Sequence, residues 1–229
     1  MDAKFWQSRW IEGRIGFHKS EVNPLLIKYF ATLGLKKDDR ILVPLCGKSV
    51  DMAWLTQQGY DVVGIELIES AVQAFFIEQG ITPTITESTD SAAKCYRGQL
   101  SGQRIELWVA DIFELDNKAI GRVDMVYDRA ALIALPEGKR LQYSEQICQL
   151  SGCTHDNVKA LQLLITLNYD QNQKDGPPFS ISDEQLRQYY SADYQMTMLD
   201  SQSSTFSAAS ELSVTEQVWL LEPTCIAKP

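Results

Sequence analysis

Between Arg40 and Leu167, short apolar runs alternate with stretches whose apolar residues fall at helical spacing. Arg40–Pro44 reads as a buried strand, Val50–Gln58 as a helix stopped by Gly59, and Tyr60–Glu66 as a second strand. A helix over Glu69–Gln79 ends at Gly80. Strands follow over Glu106–Asp111 and Val123–Asp128, then a helix over Lys139–Leu150 and a long apolar strand over Ala160–Leu167. Strands alternating with helices predict a parallel sheet with helices on both faces. The rhythm changes at both ends. Gln195–Leu199 and Val214–Leu221 are strand-like with no helix between them, which predicts an antiparallel pair at one edge. Up to about Leu35 the chain carries Trp6, Trp10 and Phe17 among charged residues, then a helix-like run from Asn23 to Leu33. Two readings of those aromatics stand: a lid, or packing beneath the sheet edge.

No repeat, low-complexity stretch or Pro/Gly/Ser linker divides the 229 residues. Residues 1–229 are therefore read as a single domain, with 1–35 as an N-terminal lid or cap. Thirty acidic against 21 basic residues give a formal charge of −9. Such a field repels nucleic-acid phosphates and anionic lipid, so a small-molecule substrate is favoured, with no nucleic-acid or membrane partner. The start Met-Asp-Ala-Lys-Phe-Trp lacks the basic and apolar blocks of a secretion signal. No apolar run approaches the roughly 20 residues that a membrane helix needs. The five cysteines, Cys46, Cys95, Cys148, Cys153 and Cys225, are scattered, and His18 and His155 are the only histidines. A reduced, cytoplasmic protein without a metal site is expected, and a monomer.

In open parallel sheets ligands bind beyond the carboxyl ends of the strands. After the first predicted strand comes Leu45-Cys46-Gly47-Lys48-Ser49. A phosphate loop would need a glycine at position 42, which is Leu42, and the dinucleotide fingerprint would need more glycines than Gly47. The second strand ends in Glu66, 19 residues past Gly47, where a carboxylate can accept from both hydroxyls of an adenosine ribose or simply be solvated. After the third strand, Asp111 and Ile112 occupy a loop that lies along adenine in adenosine-binding sheets. After the fourth, Asp128-Arg129 is either a ligand clamp or a mutual salt bridge. A ribose acid with one glycine suits S-adenosylmethionine better than NAD, whose pyrophosphate needs tight glycine packing. The loop at Asp128 lacks the Pro-Pro pair of enzymes that methylate base amines. Gly176-Pro177-Pro178-Phe179 lies after a later strand and reads as a rigid loop. Cys46 reads as a small apolar filler rather than a nucleophile.

Phe5-Trp6-Gln7-Ser8-Arg9-Trp10, Gly16-Phe17-His18, Val43-Pro44-Leu45-Cys46-Gly47-Lys48, Val63-Gly64-Ile65-Glu66, Tyr127-Asp128-Arg129-Ala130-Ala131-Leu132 and Gly176-Pro177-Pro178-Phe179 together resemble the thiopurine S-methyltransferase family, in its bacterial branch. The resemblance runs from about Phe5 to Leu221. It implies an α/β S-adenosylmethionine-dependent methyltransferase fold, seven-stranded and mostly parallel, acting on thiol groups of aromatic and heterocyclic compounds. It implies cofactor contacts from Trp10, Leu45, Glu66, Asp111, Ile112 and Arg129, and an acceptor beside Phe17, with Arg129 serving cofactor or acceptor. Asp111 departs from family members with a smaller polar residue there. Bacterial members are associated with selenium and tellurium methylation and with tellurite resistance. Two alternatives stand beside this reading: an O- or N-methyltransferase of small molecules, and a non-catalytic adenosine-binding protein. No general base is expected, because a heterocyclic thiol arrives ionised. His18 is then a hydrogen-bonded residue at a helix start or an auxiliary base.

Overall fold

A computed structural model of the chain describes residues 2–88, 92–152, 159–206 and 212–224. Cys153, His155 and Cys225 lie outside the described residues. The chain divides into two compact units, Met1–Asp124 and Met125–Pro229.

The first unit opens with two helices, α1 (Ala3–Ile11) and α2 (Pro24–Phe30). Then come β1 (Arg40–Pro44), α3 (Val50–Gln57), β2 (Asp61–Glu66) and α4 (Glu69–Glu78). It closes with β3 (Thr84–Glu87), β4 (Lys94–Leu100), β5 (Gln103–Val109), a 3-10 turn (Ile112–Glu114) and α5 (Asn117–Ile120). Its strands lie in the order β3-β4-β5-β2-β1. β2 pairs in parallel with β1, Pro44 opposite Ile65, and with β5, Glu66 opposite Val109. Ile41, Leu42, Val62, Val63 and Ile65 have no exposed surface, which is why these strands read as continuous apolar runs. Gly64 is a packing requirement. A Cβ there would stand 2.6 Å from the Leu107 side chain and 2.7 Å from the Cys46 sulfur.

The second unit holds β6 (Met125–Arg129), a 3-10 turn (Leu132–Ala134), α6 (Glu137–Leu150) and β7 (Leu161–Asn168). A 3-10 turn (Gln171–Gln173), α7 (Asp183–Tyr190), β8 (Tyr194–Ser204) and β9 (Val214–Pro223) complete it. The order is β6-β7-β9-β8. β6 and β7 are parallel, and β9 runs antiparallel to both β7 and β8. The antiparallel tail expected from the sequence is therefore present.

The strand count needs correction: the described residues hold nine strands, not seven. The additions are β3 and β4; β4 pairs antiparallel with β3 on one side and with β5 on the other. Every residue of β3 is exposed, so it carries no alternation to read. The hairpin between β4 and β5 turns at Ser101 and Gly102, with φ of 55° and 84°. Positive φ at both central residues is what a type I′ turn demands, and Ser-Gly was its sequence signal. The helices α1 and α7 were also not anticipated. No residue of α1 is buried. α7 buries only Leu186 and Tyr190, although its Ser182/Gln185 capping box was legible.

Candidate functional site

In the first unit, β1 runs into a turn built on two left-handed residues, Leu45 (φ 45°) and Gly47 (φ 53°). Glycine adopts that region freely, but for a leucine it is strained, by about 1–3 kcal/mol. The turn is pinned to β2 through the Cys46 N–H, which donates to the Ile65 carbonyl at 3.0 Å. Ser49 then caps α3, accepting from the Asp51 N–H at 3.3 Å. Lys48 pairs with Glu78 at 2.5 Å. The Gly-Lys-Ser of the sequence thus does structural work at each position.

Glu66 ends β2 with its carboxylate buried against this turn. Oε2 accepts from the Gly47 N–H and Oε1 from the Ile68 N–H, both at 2.8 Å. The Leu67 N–H also acts on this carboxylate, and of its four acceptor directions at least one is left for a ligand donor. Burial pushes the Glu66 carboxyl up from its ordinary range, and the surrounding backbone N–H groups pull against that shift. The Ala110 N–H donates to the Glu66 carbonyl at 3.0 Å, bringing the Asp111–Ile112 loop alongside. Asp111 is half-buried and caps the 3-10 turn, Oδ1 accepting from the Phe113 N–H at 3.1 Å. Ile112 has no exposed surface. It backs the loop from beneath, and the half-buried Asp111 and Phe113 flank it.

Trp10 on α1 lies over the same turn. A Cβ on Gly47 would stand 3.1 Å from the Trp10 ring. Phe17 meets Trp10 and Trp6 edge-to-face, with ring centroids 5.7 Å apart in each case. Phe17, Trp10, Gly47 and Glu66 therefore form one chain of contacts. His18 is half-buried in the loop between α1 and α2, its N–H donating to the Ile15 carbonyl at 2.8 Å. It does not start a helix, because Asn23 caps α2. The Cys46 sulfur packs on Gly64, and burial with the nearby Glu66 charge pushes its thiol well up, away from a nucleophilic thiolate.

In the second unit, Arg129 ends β6, half-buried, and its guanidinium has no hydrogen bond or ion pair among the described residues. The next residue, Ala130, is left-handed at φ 66°. Among the described residues Asp128 forms no salt bridge with Arg129. Its buried carboxylate accepts from the Tyr143 hydroxyl at 2.7 Å and from the Ala131 and Leu132 N–H groups at 3.3 and 3.2 Å. Burial pushes its carboxyl up to about 6. The Gly176–Phe179 loop is tied down at its C-terminal end: the Phe179 N–H donates to the Ile133 carbonyl at 2.7 Å, and the Tyr169 hydroxyl to the Pro178 carbonyl at 2.6 Å.

Similar folds define the class. A structure of a SAM-dependent methyltransferase from Methanosarcina mazei matches with a TM-score of 0.61 at 13% identity, covering 88% of this chain and 98% of that one. The 1,6-didemethyltoxoflavin-N1-methyltransferase of Burkholderia thailandensis, solved with bound 1,6-didemethyltoxoflavin and S-adenosylhomocysteine, matches with a TM-score of 0.60 at 17% identity, covering 97% and 87%. The fold is that of the S-adenosylmethionine-dependent methyltransferases. At the level of sequence, the family model for thiopurine S-methyltransferase matches residues 1–223. A protein named thiopurine S-methyltransferase from Psychrobacter cryohalolentis is 59% identical over 222 residues, covering 96% of this chain and 99% of that protein. The chain belongs to the thiopurine S-methyltransferase family.

Proposed function

We propose that this chain transfers the methyl group of S-adenosylmethionine to the sulfur of small aromatic or heterocyclic thiols, thiopurines among them. The observation that carries the reading is the Glu66 carboxylate, buried, fixed by the Gly47 and Ile68 amides and still able to accept from a ligand donor. That donor-free, buried group fits a vicinal diol such as the adenosine ribose. Gly47 allows close backbone approach beside it, and Trp10 covers the turn. When bound, the cofactor supplies an electrophilic methyl group on a sulfonium.

The protein's part is binding, orientation and exclusion of water. In this reading Glu66 holds the ribose, Leu45 and Asp111 flank the adenosine, and Ile112 backs the adenine loop. Trp10 closes over the cofactor, where an indole face also favours positive charge. Phe17 lies beside the acceptor. Arg129 takes a carboxylate, of the cofactor or of an anionic acceptor, through its planar fork of donors. Holding sulfur and methyl carbon about 3–3.5 Å apart supplies several kcal/mol of the barrier without any base. Keeping water from an ionised thiol preserves its nucleophilicity.

The same reading takes the chain as one methyltransferase domain with residues 1–35 as its cap, acting as a cytoplasmic monomer on small molecules. The charge of −9 supports the absence of nucleic-acid and membrane partners. No described helix is long and apolar enough to cross a membrane. Selenium and tellurium nucleophiles, softer than sulfur, fall within the same chemistry, and tellurite resistance would follow from it. The test is a labelled-methyl screen across thiophenols, thiopurines, phenols and amines. Label on sulfur acceptors is expected; label chiefly on oxygen or nitrogen, or no transfer despite cofactor binding, overturns the reading.

A further inference from the structure

A buried carboxylate is an expensive choice for a core position, because well-packed apolar residues there are as stable or more so. Asp128 has 1% of its surface exposed, directly before Arg129, and three groups converge on it. Oδ1 accepts from the N–H groups of Ala131 and Leu132, and Oδ2 from the hydroxyl of Tyr143 on α6. The residue spanned by this clamp is Ala130, held at φ 66°, where an L side chain is disfavoured. The 3-10 turn that follows is stitched by the Ala134 N–H to the Ala131 carbonyl at 3.0 Å, and further by the Phe179 N–H to Ile133. A strained turn persists only where its surroundings over-determine it. Here one side chain holds the start of the turn directly, and what leaves the turn is the guanidinium of Arg129, unpaired among the described residues.

We propose that Asp128 is a positioning residue: by clamping the left-handed turn at Ala130 it fixes the direction in which Arg129 leaves β6. The proposal rests on the reading of Arg129 as an anion contact. Tyr143 orients the carboxylate, so the clamp has its own support from α6. An ordinary core carboxylate would affect stability alone; a positioning carboxylate couples to Arg129 in ligand binding.

The experiment is a double-mutant cycle. Affinity for S-adenosylhomocysteine is measured by calorimetry, and KM and kcat for 4-mercaptobenzoate by methyl transfer, in Asp128→Ala, Arg129→Ala and the double variant. Each single variant is expected to weaken one of the two ligands about tenfold, the size of one lost charge-assisted contact. The double variant is expected to be no weaker than Arg129→Ala. Ala130→Gly added to Asp128→Ala restores binding, because glycine takes a positive φ unaided. Asp128→Asn retains binding, because its amide oxygen still accepts from both N–H groups. Should Asp128→Ala not fold, Tyr143→Phe carries the same cycle with an expected loss of about threefold. If Arg129→Ala leaves both ligands unaffected, the reading of Arg129 itself falls. If Arg129→Ala weakens binding while Asp128→Ala does not, or if the two losses multiply, Arg129 stands and the positioning role is overturned.

Discussion

At Glu66 two demands meet on one side chain: its oxygens anchor the backbone of Gly47 and Ile68 and are also read as the ribose acceptors. Glu66→Ala therefore removes both the ligand contacts and the partners of two backbone N–H groups. Losing two charge-assisted bonds weakens cofactor binding by roughly 1.5–3 kcal/mol each, and each orphaned buried donor destabilises the fold by about 1–3 kcal/mol. Calorimetry with S-adenosylhomocysteine beside urea denaturation separates the two effects. Unchanged affinity in a folded variant removes Glu66 from the site. Asp128 yields a prediction about pH. An unfolded-chain aspartate titrates near 4, whereas burial holds this one up at about 6. The native state then binds more protons than the unfolded state between those values. Its contribution to stability is complete below about pH 4 and is lost as pH rises through 6, by up to about 3 kcal/mol. Glu66 is shifted in the same direction, so the readout is the difference between wild type and Asp128→Asn. Denaturant midpoints from pH 4 to 7.5 should show the Asn variant lacking part of the slope; identical slopes exclude the effect.

Among the elements, α1 is the one that reaches the candidate site with no buried residue of its own. It spans nine residues with none buried, capped by Asp2 and leaning on the turn through Trp10. Isolated helices of that length are marginal in water, and segments with little buried contact open most readily. Amides up to about Phe17 are expected to exchange rapidly without ligand and to gain protection when S-adenosylhomocysteine binds, as measured by hydrogen exchange. Strong protection in both states makes the segment a fixed part of the first unit. This element also marks where sequence reading stopped. β1, β2 and β7 were legible because burial on both faces turns a strand into a continuous apolar run. α1 and β3 bury nothing, so no periodicity marks them. The position of Glu66 was readable from its distance to Gly47, but its amide partners were not. The Gly47 amide comes from a turn that holds a left-handed Leu45, a conformation that no leucine advertises. Asp128 was visible as an odd charge after an apolar strand, yet its partner Tyr143 stands 15 residues further on, on α6.

For the molecule as a whole, acceptor choice follows from which proton acceptors the chain can offer. Methyl transfer to a phenol with pKa about 10 needs a base near neutral pH, whereas an acidic heterocyclic thiol is already an anion. His18 is the histidine among the described residues; it is half-buried in the loop beyond α1, where its backbone N–H donates to the Ile15 carbonyl. The Asp128 carboxylate is occupied by the Ala131 and Leu132 N–H groups and the Tyr143 hydroxyl, and what the amides leave free on Glu66 is read as the ribose acceptor. Such an assembly favours sulfur strongly over oxygen or nitrogen in matched aromatic compounds. The rate should follow the ionised fraction of the thiol as its acidity is varied. His18→Gln should keep most of the activity towards thiophenols ionised at the assay pH, and should leave the dependence on thiol acidity unaltered. Steady-state rates for a graded series of thiophenols and their phenol counterparts, in wild type and His18→Gln, measure this directly. Efficient phenol methylation by the wild type refutes a base-free mechanism. So does a loss in the variant that grows as the thiol becomes less ionised at the assay pH, because it would mean that His18 takes the proton from the reacting sulfur; an equal loss for every thiol places His18 in the packing instead.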